Sequence, residues 1–270
     1  GLITDSSVPE LYLAGIFPGI ILSLLFMGAI VVACWTRPDW DGEPIPTNWG
    51  DRVRGLPDLL PPIMLFGVVV GSIYAGIATP TEAASVGVVF ALILAAWKRT
   101  LSVRMLRDAF EGTMRTTAMI MLIVFAAIFL NFILGFLGVT QALLRLVTDL
   151  GLTPTQTIML LVLFYLILGM FMETLSMMLT TVPVIFPIIV QMGFDGVWFG
   201  ILITILMEAA LITPPIGINL YVVHGIRERG GKFNDVAYGA LPFVLMMIVM
   251  IFVLIAFPDL ALWLPTQLYR

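Results

Sequence analysis

The segment Ile212-Thr-Pro-Pro-Ile-Gly-Ile-Asn-Leu-Tyr221 interrupts a long apolar run with residues that helices avoid. Pro214 and Pro215 lack an N–H, so the carbonyl groups of Ala210 and Leu211, four residues earlier, lose their helical donors. Within a bilayer, such carbonyl groups are tolerated only where protein, water or an ion satisfies them. The segment therefore predicts a broken membrane helix with unpaired oxygen atoms at its break, which is typical of binding sites in secondary transporters.

The composition is that of a membrane protein. Of the 270 residues, 60% are hydrophobic and 11% are charged, and the mean hydropathy is +1.09, whereas soluble domains are about one quarter charged. The apolar residues are spread along the whole chain, so they do not come from one anchor or a signal peptide. The net charge of −4 comes without a basic stripe, so we expect the lipid bilayer as a partner and no nucleic acid.

Five apolar runs predict membrane spans, each of which needs about 20 residues. They cover residues 11–35, 61–77, 83–97, 117–137 and 238–257. Residues 36–57 are expected to form an interfacial loop. In residues 98–115, five basic residues alternate with apolar ones, which predicts an amphipathic helix along the membrane surface. The fold class that follows is an all-α polytopic membrane protein.

Residues 155–190 consist of two apolar arms separated by Glu173-Thr-Leu-Ser176. Two full spans joined by a loop would be the simplest interpretation. The connection is short and acidic, however, and contains neither Lys nor Arg. A re-entrant hairpin, whose tip stops at membrane depth, explains these residues better, and the broken helix then follows over residues 197–226.

The basic residues predict the orientation of the chain. Eleven of the thirteen Lys and Arg residues lie in the connections 36–57, 98–115 and 227–232. Threading the spans puts all three connections on one side, which the positive-inside rule makes cytoplasmic. The hairpin would then enter from the opposite side, where the C-terminus would also lie.

Two groups of residues are candidates for binding an ion or a substrate. The group at the hairpin tip is Glu173, Thr174 and Ser176, and the group at the helix break is Thr213, Pro214, Pro215, Gly217 and Asn219. A hard cation prefers oxygen ligands. Its candidate ligands at the break are Thr213, Asn219 and the carbonyl groups of Ala210 and Leu211. The competing interpretation is a proline kink in which Ser and Thr side chains bond back to their own helix.

Three acidic residues require an explanation of their own. An ionised side chain near the bilayer centre costs roughly 2.5–3.5 kcal/mol, so Glu173 and Glu208 each need a partner, a cavity, a proton or a position nearer the interface. Glu82 lies at the start of the third span. It is either a capping acid that complements the positive end of a helix, or a buried acid that pairs with a moving domain or an ion.

The sequence contains none of the usual catalytic motifs. It has no Gly-rich phosphate loop with its Lys, no nucleophile elbow and no His–Glu metal motif, so we expect no enzymatic activity and no cofactor. Without an ATP site, uphill transport would have to draw on an ion gradient or a partner.

Several motifs, in this order, resemble the large membrane subunit of the TRAP (tripartite ATP-independent periplasmic) transporters, the DctM-type subunit, along essentially the whole chain. The matching stretches are Gly76-Ile-Ala-Thr-Pro-Thr-Glu-Ala-Ala84, Arg115-Thr-Thr-Ala-Met119, Leu168-Gly-Met-Phe-Met-Glu173, Thr181-Val-Pro-Val-Ile-Phe-Pro187, Phe199-Gly-Ile201 and Leu211-Ile-Thr-Pro-Pro-Ile-Gly-Ile-Asn-Leu220.

This resemblance implies a sodium-driven importer of small organic anions in the bacterial inner membrane. It also implies a small membrane subunit (DctQ-type), a periplasmic substrate-binding protein (DctP-type) and two inverted repeats in an elevator-type mechanism. Family members commonly have Asp-Pro at the tip, where this chain has Glu173-Thr174, so the geometry of the tip is a point of difference.

The resemblance also divides the chain into regions. Residues 1–56 would hold the last helix of a first repeat and a cytoplasmic connection, and residues 57–116 the scaffold helices and the amphipathic helix. Residues 117–270 would hold the fourth span, the hairpin, the broken helix and the last span. Because family members carry a further repeat before the segment that matches residues 1–35, we expect this chain to hold one of two half-sites and not to transport alone.

Two other functions are compatible with the sequence. One is an ion-coupled anion carrier of the same architecture that needs no binding protein. The other is a membrane fragment without transport activity, in which changes at Thr213 and Asn219 would alter no measurable property.

Overall fold

The computed structural model describes residues 1, 4, 6–36, 48–214, 217–226 and 232–269, without the side chains of 51–54, 148 and 269. Within these residues the regular secondary structure is entirely helical. The twelve helices are α1 (Val8–Ala14), α2 (Ile16–Thr36), α3 (Trp49–Tyr74), α4 (Pro80–Trp97), α5 (Val103–Phe136), α6 (Val139–Asp149), α7 (Pro154–Gly169), α8 (Thr174–Gln191), α9 (Gly196–Leu211), α10 (Ile218–Gly225), α11 (Phe233–Ala256) and α12 (Asp259–Tyr269).

Six helical segments of the described chain are long and apolar enough to cross a membrane. They are Val8–Thr36, Gly55–Tyr74, Pro80–Trp97, Val103–Phe136, Thr174–Gln191 and Phe233–Ala256. All five spans predicted from the apolar runs are among them. The sequence and the structure therefore agree on an all-α polytopic membrane protein. The re-entrant course of the hairpin and the elevator mechanism stay predictions.

Four helical regions differ from the prediction. Residues 98–115 and 117–137 were expected to form two elements, but α5 runs through both as one helix of 34 residues, because no proline or other strong helix breaker separates them. The last part of the interfacial loop expected over residues 36–57 is helical, since α3 begins at Trp49 and continues past Pro57, whereas residues 37–47 lie outside the described part of the chain. Two short helices, α6 and α12, lie in segments that were not expected to be helical.

The chain divides into two compact units. The smaller unit, Asp39–Ile120, contains the antiparallel pair α3 and α4 and the first part of α5. The larger unit, Gly1–Pro38 with Met121–Arg270, contains the rest of α5 and all other helices. The boundaries predicted at residues 56 and 116 stay predictions.

Helix α9 is the centre of the larger unit. It packs against α1, α7, α8, α11 and α12, and twelve of its sixteen residues are buried. Its sequence is apolar except for Thr204 and Glu208, which lie four residues apart and are exposed, so the helix is surrounded by others on all but one narrow side. The indole Nε1 of Trp198 donates a hydrogen bond of 2.9 Å to the Leu254 carbonyl of α11, so even the polar atom of this core residue is satisfied. The helix that leads into the break is therefore the most enclosed helix of its unit.

Candidate functional site at the helix break

The helix is broken where the prolines predict it. Helix α9 ends at Leu211 and α10 begins at Ile218. Helix α9 ends in a tighter turn with hydrogen bonds between residues three apart. The Ile212 N–H donates to the Ala209 carbonyl (3.3 Å), and the Thr213 N–H donates to the Ala210 carbonyl (3.1 Å). Such three-residue bonds satisfy carbonyl groups that an α-helix end leaves without donors. The expectation of an unpaired Ala210 carbonyl is therefore wrong: this oxygen has a donor from its own chain.

Gly217 closes the break in a left-handed conformation. Its φ is +42°, a region that residues with a Cβ atom rarely adopt. A Cβ atom at this position would lie 3.0 Å from the Thr213 carbonyl oxygen and 3.1 Å from the Leu211 carbonyl oxygen. Two main-chain oxygens therefore converge on the Gly217 backbone. The Thr213 carbonyl belongs to this group, although sequence reasoning named only the Leu211 and Ala210 carbonyl groups and the Thr213 residue in general.

The remaining residues of the break have different environments. The Thr213 hydroxyl donates to the Ala209 carbonyl over 2.6 Å, which is the back-bonded arrangement of the competing interpretation. Pro214 is half-buried in the turn, and Asn219 is exposed on the first turn of α10. Pro215 lies outside the described residues. Of the polar side chains at the break, Asn219 is thus the one whose amide faces open space.

The hairpin tip is organised by Glu173, which caps the N-terminus of α8. Its Oε1 accepts from the Leu175 N–H (2.9 Å), and its Oε2 accepts from the Ser176 N–H (3.1 Å) and the Ser176 hydroxyl (3.4 Å). A carboxylate in this position is stabilised by the positive end of the helix. The hydroxyl oxygen of Thr174 is buried, and no described residue hydrogen-bonds to it. The Glu173 carboxylate therefore finds hydrogen-bond donors in the first turn of its own helix.

The tip and the break are neighbours in space. Gly169, the last residue of α7, faces Ala210 so closely that a Cβ atom at Gly169 would overlap the Cβ of Ala210. The same Cβ atom would lie 3.5 Å from the Ala210 Cα. The first arm of the hairpin thus ends directly against the last turn before the break. The sequence signals that could have indicated this approach are two small residues, Gly169 near the tip and Ala210 near the break.

A cavity of about 670 Å³ opens beside the break. Glu208 and Asn219 line it together with Asp235 of α11, a residue that sequence reasoning did not single out. Asp235 also caps α11, because its Oδ2 accepts from the Lys232 N–H over 3.0 Å. The cavity accounts for Glu208, whose side chain is exposed and reaches open space. The apolar side chains that line the cavity include Phe26, Phe243 and Met247.

Glu82, in the smaller unit, forms a capping box at the start of α4. Its Oε2 accepts from the Thr79 N–H and the Thr79 hydroxyl, both over 2.8 Å, and its own N–H donates to the Thr79 hydroxyl oxygen. The carboxylate is exposed. This geometry corresponds to the capping alternative, and a scaffold or gating role for Glu82 stays a prediction.

These features define a class of protein. A polytopic helical membrane protein whose most enclosed helix breaks beside a cavity with carboxylate and amide groups in a mainly apolar lining has the architecture of a secondary transporter. The family profile described as "Tripartite ATP-independent periplasmic transporter, DctM component" matches residues 1–260. The chain belongs to this family, which is a family of transporter permeases.

Three relatives show the range of the family. A C4-dicarboxylate TRAP transporter large permease protein from Rhodobacter capsulatus is 32% identical over 269 residues, which are 98% of this chain and 60% of the relative. An ectoine TRAP transporter large permease protein from Halomonas elongata is 30% identical over 100% of this chain and 62% of its own length. An isethionate TRAP transporter permease protein from Oleidesulfovibrio alaskensis is 28% identical over 94% of this chain and 40% of its own length. The chain thus spans about three fifths of the first two relatives.

Proposed function

We propose that the chain acts in the permease subunit of a sodium-coupled importer of small organic acids. The observation that carries this proposal is the approach of the hairpin tip to the helix break, through Gly169 and Ala210, beside a cavity that contains carboxylate and amide groups. Hard cations prefer oxygen ligands, and the break offers the Leu211 and Thr213 carbonyl groups and the Asn219 amide. These three residues are the sodium ligands that we propose. Ala210 is a weaker candidate because its carbonyl already accepts a hydrogen bond.

The partners follow from the family. We propose a small membrane subunit and a periplasmic binding protein that delivers the substrate, with the complex in the bacterial inner membrane and the C-terminus of the chain on the periplasmic side. The substrate class is a small organic acid, with C4-dicarboxylates first, because a C4-dicarboxylate permease is among the relatives that match 98% of the chain. The names of other relatives, which include ectoine and isethionate, define the panel of compounds to compare.

Sodium binding can be measured on the purified chain. A ligand that binds the folded state stabilises it by about 1.4 kcal/mol at ten times its Kd. We therefore expect a higher unfolding midpoint in NaCl than in KCl at equal ionic strength. Asn219→Ala should reduce this difference, because it removes one proposed ligand.

Two control variants separate sodium binding from general destabilisation. Asn234→Ala removes an exposed amide on α11 and should leave the sodium-dependent difference unchanged. Thr213→Ala removes a hydroxyl that bonds back to its own helix over 2.6 Å but keeps the proposed carbonyl ligand, so it should also leave the sodium-dependent difference unchanged. Equal midpoints in the two salts, or equal effects of Asn219→Ala and Asn234→Ala, would contradict the proposed sodium site and favour the fragment without transport activity.

Transport itself requires a reconstituted system. We expect uptake of a C4-dicarboxylate into proteoliposomes only when the permease, the small subunit, the binding protein and an inward sodium gradient are all present. The chain alone should show no sodium-dependent uptake. Uptake without any binding protein would favour the binding-protein-independent carrier.

A further inference from the structure

Helix α8, the second arm of the hairpin, contains a carbonyl group without its helical donor. In an α-helix the carbonyl of residue 179 accepts a hydrogen bond from the N–H of residue 183. Residue 183 is proline, which has no N–H and whose ring pushes against the carbonyl four residues earlier. The Leu179 carbonyl therefore needs a donor from elsewhere, and in a membrane water does not readily supply one.

Asn131 of α5 supplies that donor. Its Nδ2 lies 2.9 Å from the Leu179 oxygen, across 48 residues of sequence, and 2.9 Å from the Ala127 oxygen of its own helix. Both neighbours are carbonyl oxygens, which only accept hydrogen bonds, so the NH₂ end of the amide must face them. The other end, Oδ1, is buried and receives no hydrogen bond from any described residue. The amide is thus oriented by its two donated bonds and by nothing else that the structure describes.

Asn131 lies on the buried side of α5, in a span that is otherwise apolar. Around Asn131, α5 presents mostly exposed apolar side chains, including Phe125, Phe129 and Phe132, whereas Ala127, one turn before Asn131, is 3% exposed. A small residue at this place lets the helix backbones approach closely. Asn131 is the one strongly polar residue of this span, and it lies on the same side as Ala127, next to α8.

Helix α8 also makes a polar contact with α7, the first arm of the hairpin. The hydroxyl of Tyr165 on α7, which is fully buried, lies 2.7 Å from the Thr181 hydroxyl. The Thr181 hydroxyl in turn lies 2.7 Å from the Met177 carbonyl. The proline-containing arm is therefore tied by polar contacts to α7 on one side and to α5 on the other.

We infer that Asn131 is a positioning residue that replaces the N–H absent at Pro183 and thereby fixes the second hairpin arm to α5. The two residues form a matched pair: the proline creates the need for a donor, and the asparagine meets it. This pairing does not depend on sodium coupling or on the substrate. It gives a specific expectation, namely that the cost of removing the amide depends on whether residue 183 has an N–H.

The test is a double-mutant cycle on the purified chain, with reversible unfolding in mixed micelles as the measurement. Interhelical hydrogen bonds in membranes change the folded-to-unfolded ratio by about 3-fold on average and by at most about 20-fold. We expect Asn131→Leu to lower this ratio within that range. In the Pro183→Ala background, where residue 183 can donate to the Leu179 carbonyl, the same change should have an effect of less than about 2-fold.

Pro187→Ala is the matched control, because it restores an N–H in the same helix at a place where that N–H would pair with residue 183. Asn131→Leu should therefore remain as costly in the Pro187→Ala background as in the unmodified chain. If Asn131→Leu does not fold, recovery of folding by Pro183→Ala but not by Pro187→Ala supports the inference. An equal effect of Asn131→Leu in all three backgrounds, or no effect in the unmodified chain, would overturn it.

Discussion

At the scale of single residues, Gly217 is the position where the break depends most directly on the identity of one side chain. Its positive φ and its approach to the Leu211 and Thr213 carbonyl oxygens leave no comfortable place for a Cβ atom. The prolines create the break by removing donors, and the glycine lets the chain turn back into α10 around the carbonyl groups that remain. The break therefore needs both residue types.

Gly217→Ala should lower the free energy of unfolding by about 1–2 kcal/mol, the cost of a left-handed conformation for a residue with a Cβ atom. It should also reduce the stabilisation by sodium, because the new methyl group would lie against two proposed oxygen ligands. Unfolding titrations in NaCl and KCl measure both effects.

Gly225→Ala is the control for this change, at the other end of the same short helix. A Cβ atom there meets no atom within 4 Å, and alanine is favoured over glycine inside a helix by roughly 0.5–1 kcal/mol. If Gly217→Ala were as harmless as Gly225→Ala, the close approach at Gly217 would not matter for stability.

At the scale of elements, the end of α7 and the end of α9 are fitted to each other. Helix α9 packs against six others, so a change in its position would disturb the core of the larger unit. Helix α7 approaches it through a residue without a side chain. The distance between the hairpin tip and the break is therefore set by Gly169 and Ala210.

Exchanging the two residues tests this contact. Gly169→Ala should destabilise the chain by about 1–3 kcal/mol, as overpacking of a tight core does. The double variant Gly169→Ala with Ala210→Gly should recover part of this loss. The new Cβ atom would then lie 3.5 Å from the Cα of residue 210 and 3.3 Å from the flexible end of Met177, while glycine inside α9 costs about 0.5–1 kcal/mol. The free energy of unfolding of the two variants gives the comparison.

Gly135→Ala on α5 serves as the control, since a Cβ atom at that position meets nothing within 4 Å. It should change stability by less than Gly169→Ala does. A double variant that is no more stable than Gly169→Ala alone would show that the two residues do not limit each other.

At the scale of the whole molecule, the orientation in the membrane is a prediction from the distribution of basic residues. The positive-inside rule predicts that the basic residues 98–115, which include the first part of α5, lie on the cytoplasmic side and that the hairpin enters from the opposite side. In a background in which Cys34→Ser removes the single cysteine, Thr100→Cys should react in intact cells only with a membrane-permeant maleimide. Gln191→Cys, at the end of α8, should react with an impermeant one.

These two positions serve as each other's control, because both are exposed and lie at helix ends. The reverse labelling pattern would contradict the predicted orientation and the periplasmic C-terminus. A third cysteine, Phe171→Cys at the tip, addresses the hairpin. Two full spans would make it accessible from the cytoplasm, and a re-entrant hairpin would leave it at membrane depth.

Local rules accounted for much of this fold. Apolar runs predict spans because a helix satisfies its own backbone hydrogen bonds in lipid. Prolines lie inside α3 and α8 without ending them, whereas the Pro214-Pro215 pair with Gly217 coincides with the end of α9. The membrane class, the break after Leu211 and the short tip before Thr174 were therefore predictable. The motifs were also sufficient to predict the family.

Other features depended on residues that are distant in sequence. The donor for the Leu179 carbonyl lies 48 residues away on α5, and Gly169 of α7 meets Ala210 of α9. The addition of Asp235 to the cavity was likewise not apparent from local pattern.

The sequence by itself thus determined that this is a polytopic membrane protein of the DctM family with a broken helix. Hydropathy and the missing proline N–H act within a few residues, and the family motifs are short stretches of the chain itself. Only the tertiary structure decided that α9 is the enclosed helix and that the tip meets the break through Gly169 and Ala210. It also decided that Asn131 donates to the Leu179 carbonyl, to which Pro183 cannot donate. Those contacts depend on how helices far apart in the chain pack together, and packing is a property of the assembled unit.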